Sequence, residues 1–212
     1  MKLLLFSDLH CHRRACERLV EMAHAVDIVV GAGDYGNIRR GLDVPIGILR
    51  QIEKPAILVP GNNESVEELE AACACWPSAR VLHGTGTRVG GLTFFGVGGG
   101  IPVTPFGAWS YDFTEEEAGH LLAPCPPGAV LVTHAPPWGC LDRSSWGRSL
   151  GSRSIRAAIE AKSPILVVCG HIHGSAGKAA RIGETPVVNA GPDGYLWELS
   201  VPLTQARRGE KD

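Results

Sequence analysis

Six short runs of aliphatic and β-branched residues, Lys2–Phe6, Asp27–Val30, Ala56–Val59, Leu92–Val97, Ala129–Thr133 and Ile165–Cys169, set the limits on how this chain folds. Runs of this length with little polar alternation read as strands buried on both faces, and such strands need cover on each side. Between the early runs lie helical patterns, Arg13–Ala25 and about Asp43–Glu53, so the first half reads as successive βαβ units. Ser65 to Glu68 (SVEE) and Thr114 to Glu117 (TEEE) carry capping-box signatures that open a third and a fourth helix, and Ser152 is placed to cap a fifth. Gly90-Gly91 and Gly183-Glu184 mark tight turns between short strands, which adds antiparallel hairpins to the parallel part. The expectation is an α/β protein of two packed, mixed sheets with helices outside. No repeat recurs at a fixed period and no linker is long enough to divide the chain, so one domain over residues 1–212 is expected.

The runs end in short polar clusters: Ser7-Asp8-Leu9-His10, Gly33-Asp34, Gly61-Asn62-Asn63-Glu64, Thr133-His134 and Gly170-His171-Ile172-His173. In open α/β sheets, groups at the carboxyl ends of neighbouring strands converge on one crevice. The clusters offer seven ligands: Asp8, His10, Asp34, Asn62, His134, His171 and His173. Residues two apart on an extended backbone point the same way, so Asp8 with His10, and His171 with His173, are each expected to face one site. All seven are nitrogen or oxygen donors without a thiolate, a set that suits manganese, iron or zinc. Seven ligands exceed one four-coordinate ion and suit two ions sharing a bridging carboxylate, for which Asp34 is the choice because it has two oxygens to share. Two-metal sites typically hold the attacking and leaving oxygens of a displacement at phosphorus. Two divalent cations, two aspartates and one bridging hydroxide leave about one positive charge, which fits an anionic phosphoester.

Taken in order, DxH, GD, GNxE, TH and GHxH resemble the blocks of the calcineurin-like metallophosphoesterases, and the resemblance runs from about Asp8 to His173. It implies a four-layer α/β sandwich and a dinuclear site. In that site Asp8, His10, Asp34 and His173 hold one metal, and Asp34, Asn62, His134 and His171 hold the other. The implied cofactors are two divalent ions, manganese first, with iron, zinc, nickel and magnesium as the other candidates. The implied reaction is hydrolysis of a small phosphoester or nucleotide, with phosphodiesters favoured over phosphomonoesters, by a metal-bridging hydroxide; Asp34, His134 and Asn63 are its catalytic residues. One position departs from the family pattern. Many members read GNH where this chain has Gly61-Asn62-Asn63, and in them that histidine contacts substrate or protonates the leaving oxygen. Small bacterial and archaeal phosphodiesterases of the superfamily similarly lack it, and this chain resembles them most. Asn63 is then expected to donate a hydrogen bond to a phosphoryl oxygen without delivering a proton.

Each cluster alone has an ordinary explanation, since Gly-Asp and Gly-Asn pairs make turns and strand-end histidines are common surface groups; five in order are not explained that way. Asp8 to His12 (DLHCH) also resembles the opening of the polymerase-and-histidinol-phosphatase family, which accounts for neither Asn62-Asn63-Glu64 nor the second histidine pair. His24, His83 and His120 are read as ordinary helix or strand-edge residues, and Cys11 and Cys16 as small buried ones. Two long irregular segments, Gly98–Phe113 and Ala135–Gly151, stand out as functional loops. In the second, Arg143 and Arg148 flank Trp146, and a guanidinium pairs bidentately with phosphate, so this loop is expected to close over substrate. The rival reading is a catalytically weak metal-binding scaffold that recognises nucleotides or a protein partner.

Charge and composition narrow the field. Lysine and arginine total 20 against 22 acidic residues, and no block of like charge supplies a broad surface for nucleic acid. No apolar stretch approaches the ~20 residues of a membrane span, and no secretory segment follows Met1, so a cytoplasmic protein is expected. Seven scattered cysteines match neither a disulfide framework nor a paired zinc module, which points to free thiols. Oligomeric state is not legible.

Overall fold

A computed structural model describes residues 1–199, so 200–212 of the expected domain lie outside the described residues. Strands β1 (Lys2–Phe6), β2 (Ile28–Ala32), β3 (Ala56–Val59), β4 (Ala79–Val81) and β11 (Tyr195–Glu198) form a sheet of order β11-β1-β2-β3-β4. All its pairs are parallel except β1 with β11. A second, six-stranded sheet has the order β5-β6-β7-β8-β10-β9, from Thr85–Val89, Leu92–Val97, Val130–Thr133, Leu166–Cys169, Thr185–Asn189 and Lys178–Ile182. Both hairpin turns form where glycine marked them. Gly90 and Gly91, at φ of 58° and 81°, join β5 to β6, and Gly183, at 56°, joins β9 to β10.

The alternation of side chains within each buried run sorts them into layers. Leu3, Leu5, Ile28, Val30, Ile57 and Val59 point inward and meet Phe94, Val130, Val132, Leu166, Val168 and Val188 of the other sheet. Their neighbours Leu4, Phe6, Val29 and Leu58 point outward onto α1 (Arg13–Ala23), α2 (Asp43–Leu49) and α3 (Val66–Cys73). Across the molecule, Val97, Leu131, Val167 and Val187 meet α4 (Glu115–Leu122) and α5 (Arg153–Lys162). The result is helices, sheet, sheet, helices. Strands covered on both faces are why the runs lack polar positions.

The expected caps form. Ser65 with Glu68 and Thr114 with Glu117 complete reciprocal capping boxes, and Ser152 Oγ accepts the Ile155 N–H at 3.1 Å. His12 caps α1, its Nδ1 accepting the Ala15 N–H at 3.2 Å, which accounts for the second histidine of the DLHCH segment. Helix α2 stops at Leu49, shorter than its pattern, with Pro45 and Gly47 inside it. Among the described residues all seven cysteines are free; Cys16 is buried, but Cys11 is only half-buried, correcting the expectation for it. No helix among the described residues is long and apolar enough to cross a membrane.

Candidate metal centre

Every polar cluster lies at the carboxyl end of its strand, and the ends of β1, β2 and β3 face those of β7 and β8 across the junction of the two sheets. The ligand-bearing backbone is not extended there. Asp8, His10, Asp34 and His171 have φ of 56°, 42°, 58° and 65°, a left-handed conformation that Asp and His tolerate better than most residues but that still stores strain. This reorders the histidine pair. Turned at His171, the chain sends His171 to a group with Asp34 and His134, while His173 joins Asp8 and His10. Within each group the candidate ligand atoms lie within 4.8 Å of one another.

The two groups meet at Asp34. One of its oxygens is 3.6 Å from His10 Nε2 and the other 3.5 Å from His134 Nε2. Asn62 belongs here too, its Oδ1 being 3.2 Å from His134 Nε2. Close packing of the loops requires glycine: a Cβ on Gly61 would overlap the Asp34 carboxylate, and one on Gly33, at φ 90°, would run into Gly61 and the His134 ring.

The donor chemistry fits divalent cations. His134 Nδ1 lies 2.8 Å from the Ala32 carbonyl, which places its proton there and turns the Nε2 lone pair toward Asp34 and Asn62. Asn62 Nδ2 donates to Ser110 Oγ at 3.0 Å, so the amide oxygen faces that same lone pair. Two acceptors facing each other at 3.2 Å repel unless a cation or proton lies between them. His10 Nε2 and His173 Nε2 confront each other at the same distance, while buried His10 Nδ1 has no partner among the described residues. Electrostatics point the same way. Burial opposes ionisation of Asp34, yet His134 and His10 hold its carboxyl well below the usual range. Asp8 is lowered against its own burial by His173 and His134. Burial lowers His134, but Asp34 outweighs it and pushes the imidazole up to about 9; burial and the neighbouring His134 take His171 down to about 4. Two buried anions thus draw protons onto His134 and His173 but not onto His171, as in a site short of positive charge.

A supporting layer, which the residue types alone did not disclose, holds the ligands. Glu64 is buried and its carboxylate accepts N–H groups of Asp34 (2.8 Å), Tyr35 (3.4 Å), Gly36 (3.0 Å) and Gly61 (2.7 Å), tying two ligand loops together. Asn63 grips both oxygens of Asp34, backbone N–H to Oδ1 at 2.9 Å and amide N–H to Oδ2 at 2.7 Å. Its own amide oxygen accepts the Ile38 N–H at 2.7 Å. Both ends of the Asn63 amide are therefore engaged by the protein. Asn189 donates to the carbonyls of Gly170 and Ile172 (3.0 and 3.1 Å), fixing the turn that separates His171 from His173. Ser7 Oγ donates to Asp8 Oδ2 at 2.6 Å.

The two long loops lie beside this centre. His83, expected to be ordinary, accepts the Gly98 N–H through Nδ1 at 3.2 Å and packs against Tyr111 and Phe113, pinning the base of the first loop. In the second, Arg143 donates to the Gly147 carbonyl at 2.9 Å within its own turn, Arg148 is exposed, and Trp146 is 89% exposed.

A family model described as the calcineurin-like phosphoesterase superfamily domain matches residues 1–201. No curated protein matches the sequence. Among solved structures, the chain is similar to TT1561 of Thermus thermophilus, with a TM-score of 0.73 and 20% identity over 91% of this chain and 90% of that one. It is similar also to an archaeal phosphodiesterase (TM-score 0.55, 17% identity, 90% and 84% of the two chains). A third is the purple acid phosphatase PPD1 of yellow lupin (0.52, 14%, 96% of this chain and 46% of that one). At such identities these likenesses concern the fold alone.

Proposed function

From the premise that the chain belongs to the calcineurin-like phosphoesterase superfamily, whose members imply a dinuclear divalent metal site, we propose that it is a metal-dependent phosphodiesterase. The observation that carries this reading is Asp34, whose two oxygens each face a histidine of a different ligand group, as a bridging carboxylate requires. In this reading Asp8, His10 and His173 hold one ion, Asn62, His134 and His171 the other, and Asp34 both. Manganese is the metal proposed first, with iron and zinc suited to the same mix of imidazole and carboxylate. Two ions held there would supply Lewis acidity and a nucleophilic water.

The chain's own residues do the rest. His134, held by the Ala32 carbonyl, keeps its Nε2 lone pair outward, and Glu64 and Asn63 fix the orientation of Asp34. Asn63 serves in positioning, one amide N–H held by Asp34 and its oxygen by the Ile38 N–H. Arg143 and Arg148 remain candidates to meet phosphate from the second loop. The archaeal phosphodiesterase among the structural neighbours supports diesters, and the lupin phosphatase keeps monoesters as the alternative. The test is hydrolysis of bis(p-nitrophenyl) phosphate against p-nitrophenyl phosphate, with manganese and with chelator. The diester is expected to turn over faster and only with metal. A preference for the monoester would overturn the diesterase reading, and absence of metal-dependent turnover of either would favour the scaffold.

A further inference from the structure

The two loops beside the metal centre enclose a cavity of about 360 Å³, a size that suits a small organic group. Pro102, Val103 and Phe106 line it from the first loop, Trp138 and Leu150 from the second, and His171 of the metal centre belongs to the same lining. Among the described residues no aspartate, glutamate, lysine or arginine contributes to it. Its walls are preformed. Asp112 accepts the Thr104 N–H (2.8 Å) and hydroxyl (2.6 Å), and Asp142 accepts the N–H groups of Gly139 and Gly151 (2.9 and 3.2 Å). Phe106 stacks on Trp109, and the Arg153 guanidinium lies over Trp138 at 4.1 Å. Despite this anchoring, Val103, Phe106 and Leu150 stay 58%, 51% and 44% exposed, and exposed apolar side chains concentrated beside a polar centre mark a binding surface. A second cavity, which shares Asp8 and His10, has the charged pair Arg18 and Asp193 in its lining. The centre is thus flanked by one charged cleft and one apolar cleft.

We propose that the apolar cleft is the subsite for one ester arm of the substrate, and that this arm is an uncharged alkyl or aryl group. The inference rests on the phosphoesterase reading for its chemistry, since His171 links the cleft to the phosphorus site. The lining hydroxyls are those of Thr104, already bonded to Asp112, and Ser149, so a sugar or a second phosphate placed there would lose its water for few partners, whereas an apolar arm gains from every methylene it buries. Non-hydrolysable probes test this apart from catalysis. Binding of n-alkylphosphonates from methyl to hexyl to the manganese-loaded protein, followed by calorimetry, is expected to tighten about fourfold per methylene until the cleft is filled. Leu150→Asp and Phe106→Asp, both at exposed side chains, are each expected to flatten that series. Chain-length-independent binding by the unmodified protein, or an unchanged slope in both variants, overturns the subsite. Turnover of p-nitrophenyl alkyl phosphates of the same lengths separates the two readings. A chain-length-dependent phosphonate series without any turnover keeps the subsite and sinks the phosphoesterase, and turnover with a flat series does the reverse.

Discussion

Replacing Glu64 by glutamine is expected to destabilise the protein by one buried, unsatisfied donor. The carboxylate takes four N–H groups, three on Oε1 (Asp34, Tyr35 and Gly61) and one, from Gly36, on Oε2. Glutamine keeps one acceptor oxygen. If that oxygen replaces Oε1, its amide NH₂ faces the Gly36 N–H, and a buried donor left so costs about 1–3 kcal/mol. For a chain of this size each kcal/mol moves the melting temperature by roughly 2–4 °C, so a fall of about 2–12 °C is expected. Alanine removes the acceptor from all four donors and is expected to exceed about 4 kcal/mol, beyond most single substitutions. Thermal unfolding followed by circular dichroism reads both. Because the orphaned groups lie in the Asp34–Gly36 loop, metal content is expected to fall with stability. A glutamine variant that melts within a degree of the unmodified protein and keeps its full metal content would show that Glu64 does not hold these loops.

Glu115 reaches from α4 to the first turn of α5, accepting from Ser152 Oγ and the N–H groups of Arg153 and Ser154, all at 2.8 Å; these bonds hold its carboxyl below the usual range despite partial burial. Glu115→Gln is expected to cost about 0.5–2 kcal/mol, as losing a helix cap does, with the deficit present above pH ~4.5 and vanishing as pH falls through the lowered folded-state value; a deficit constant down to pH ~2 would contradict the assignment. Because the Asn63 carboxamide has no proton to transfer where many family members have a histidine, the general-acid factor of ~10²–10⁴ is expected to be missing, so log rate against leaving-group pKa for aryl and alkyl diesters is expected to be steep. A shallow plot would show that another group delivers the proton.

What the sequence disclosed and what it hid have separate physical causes. Strands β1, β2, β3, β6, β7 and β8 were legible because cover on both faces demands unbroken apolar runs. Strands β4 and β11 were not, being short edges of the first sheet with half-exposed or exposed side chains, which look like loop. The ligand residues stood out because strand ends in such sheets converge. His171 and His173 reach different ligand groups of the one centre because the backbone is not extended at His171, where φ is positive and Asn189 at the end of β10 holds the turn. Glu64 and Asn63 carried the right letters but no visible partners: their hydrogen bonds go largely to backbone N–H groups and to Asp34, which no side-chain pattern announces.

Whether Asp34 bridges a dinuclear centre is decided by metal analysis of the purified protein and of Asp34→Ala after manganese loading and removal of free ion. Two ions per chain are expected in the unmodified protein and at most one in the variant, since losing the shared carboxylate removes a ligand from both groups. Two tightly held ions in Asp34→Ala would contradict the bridge.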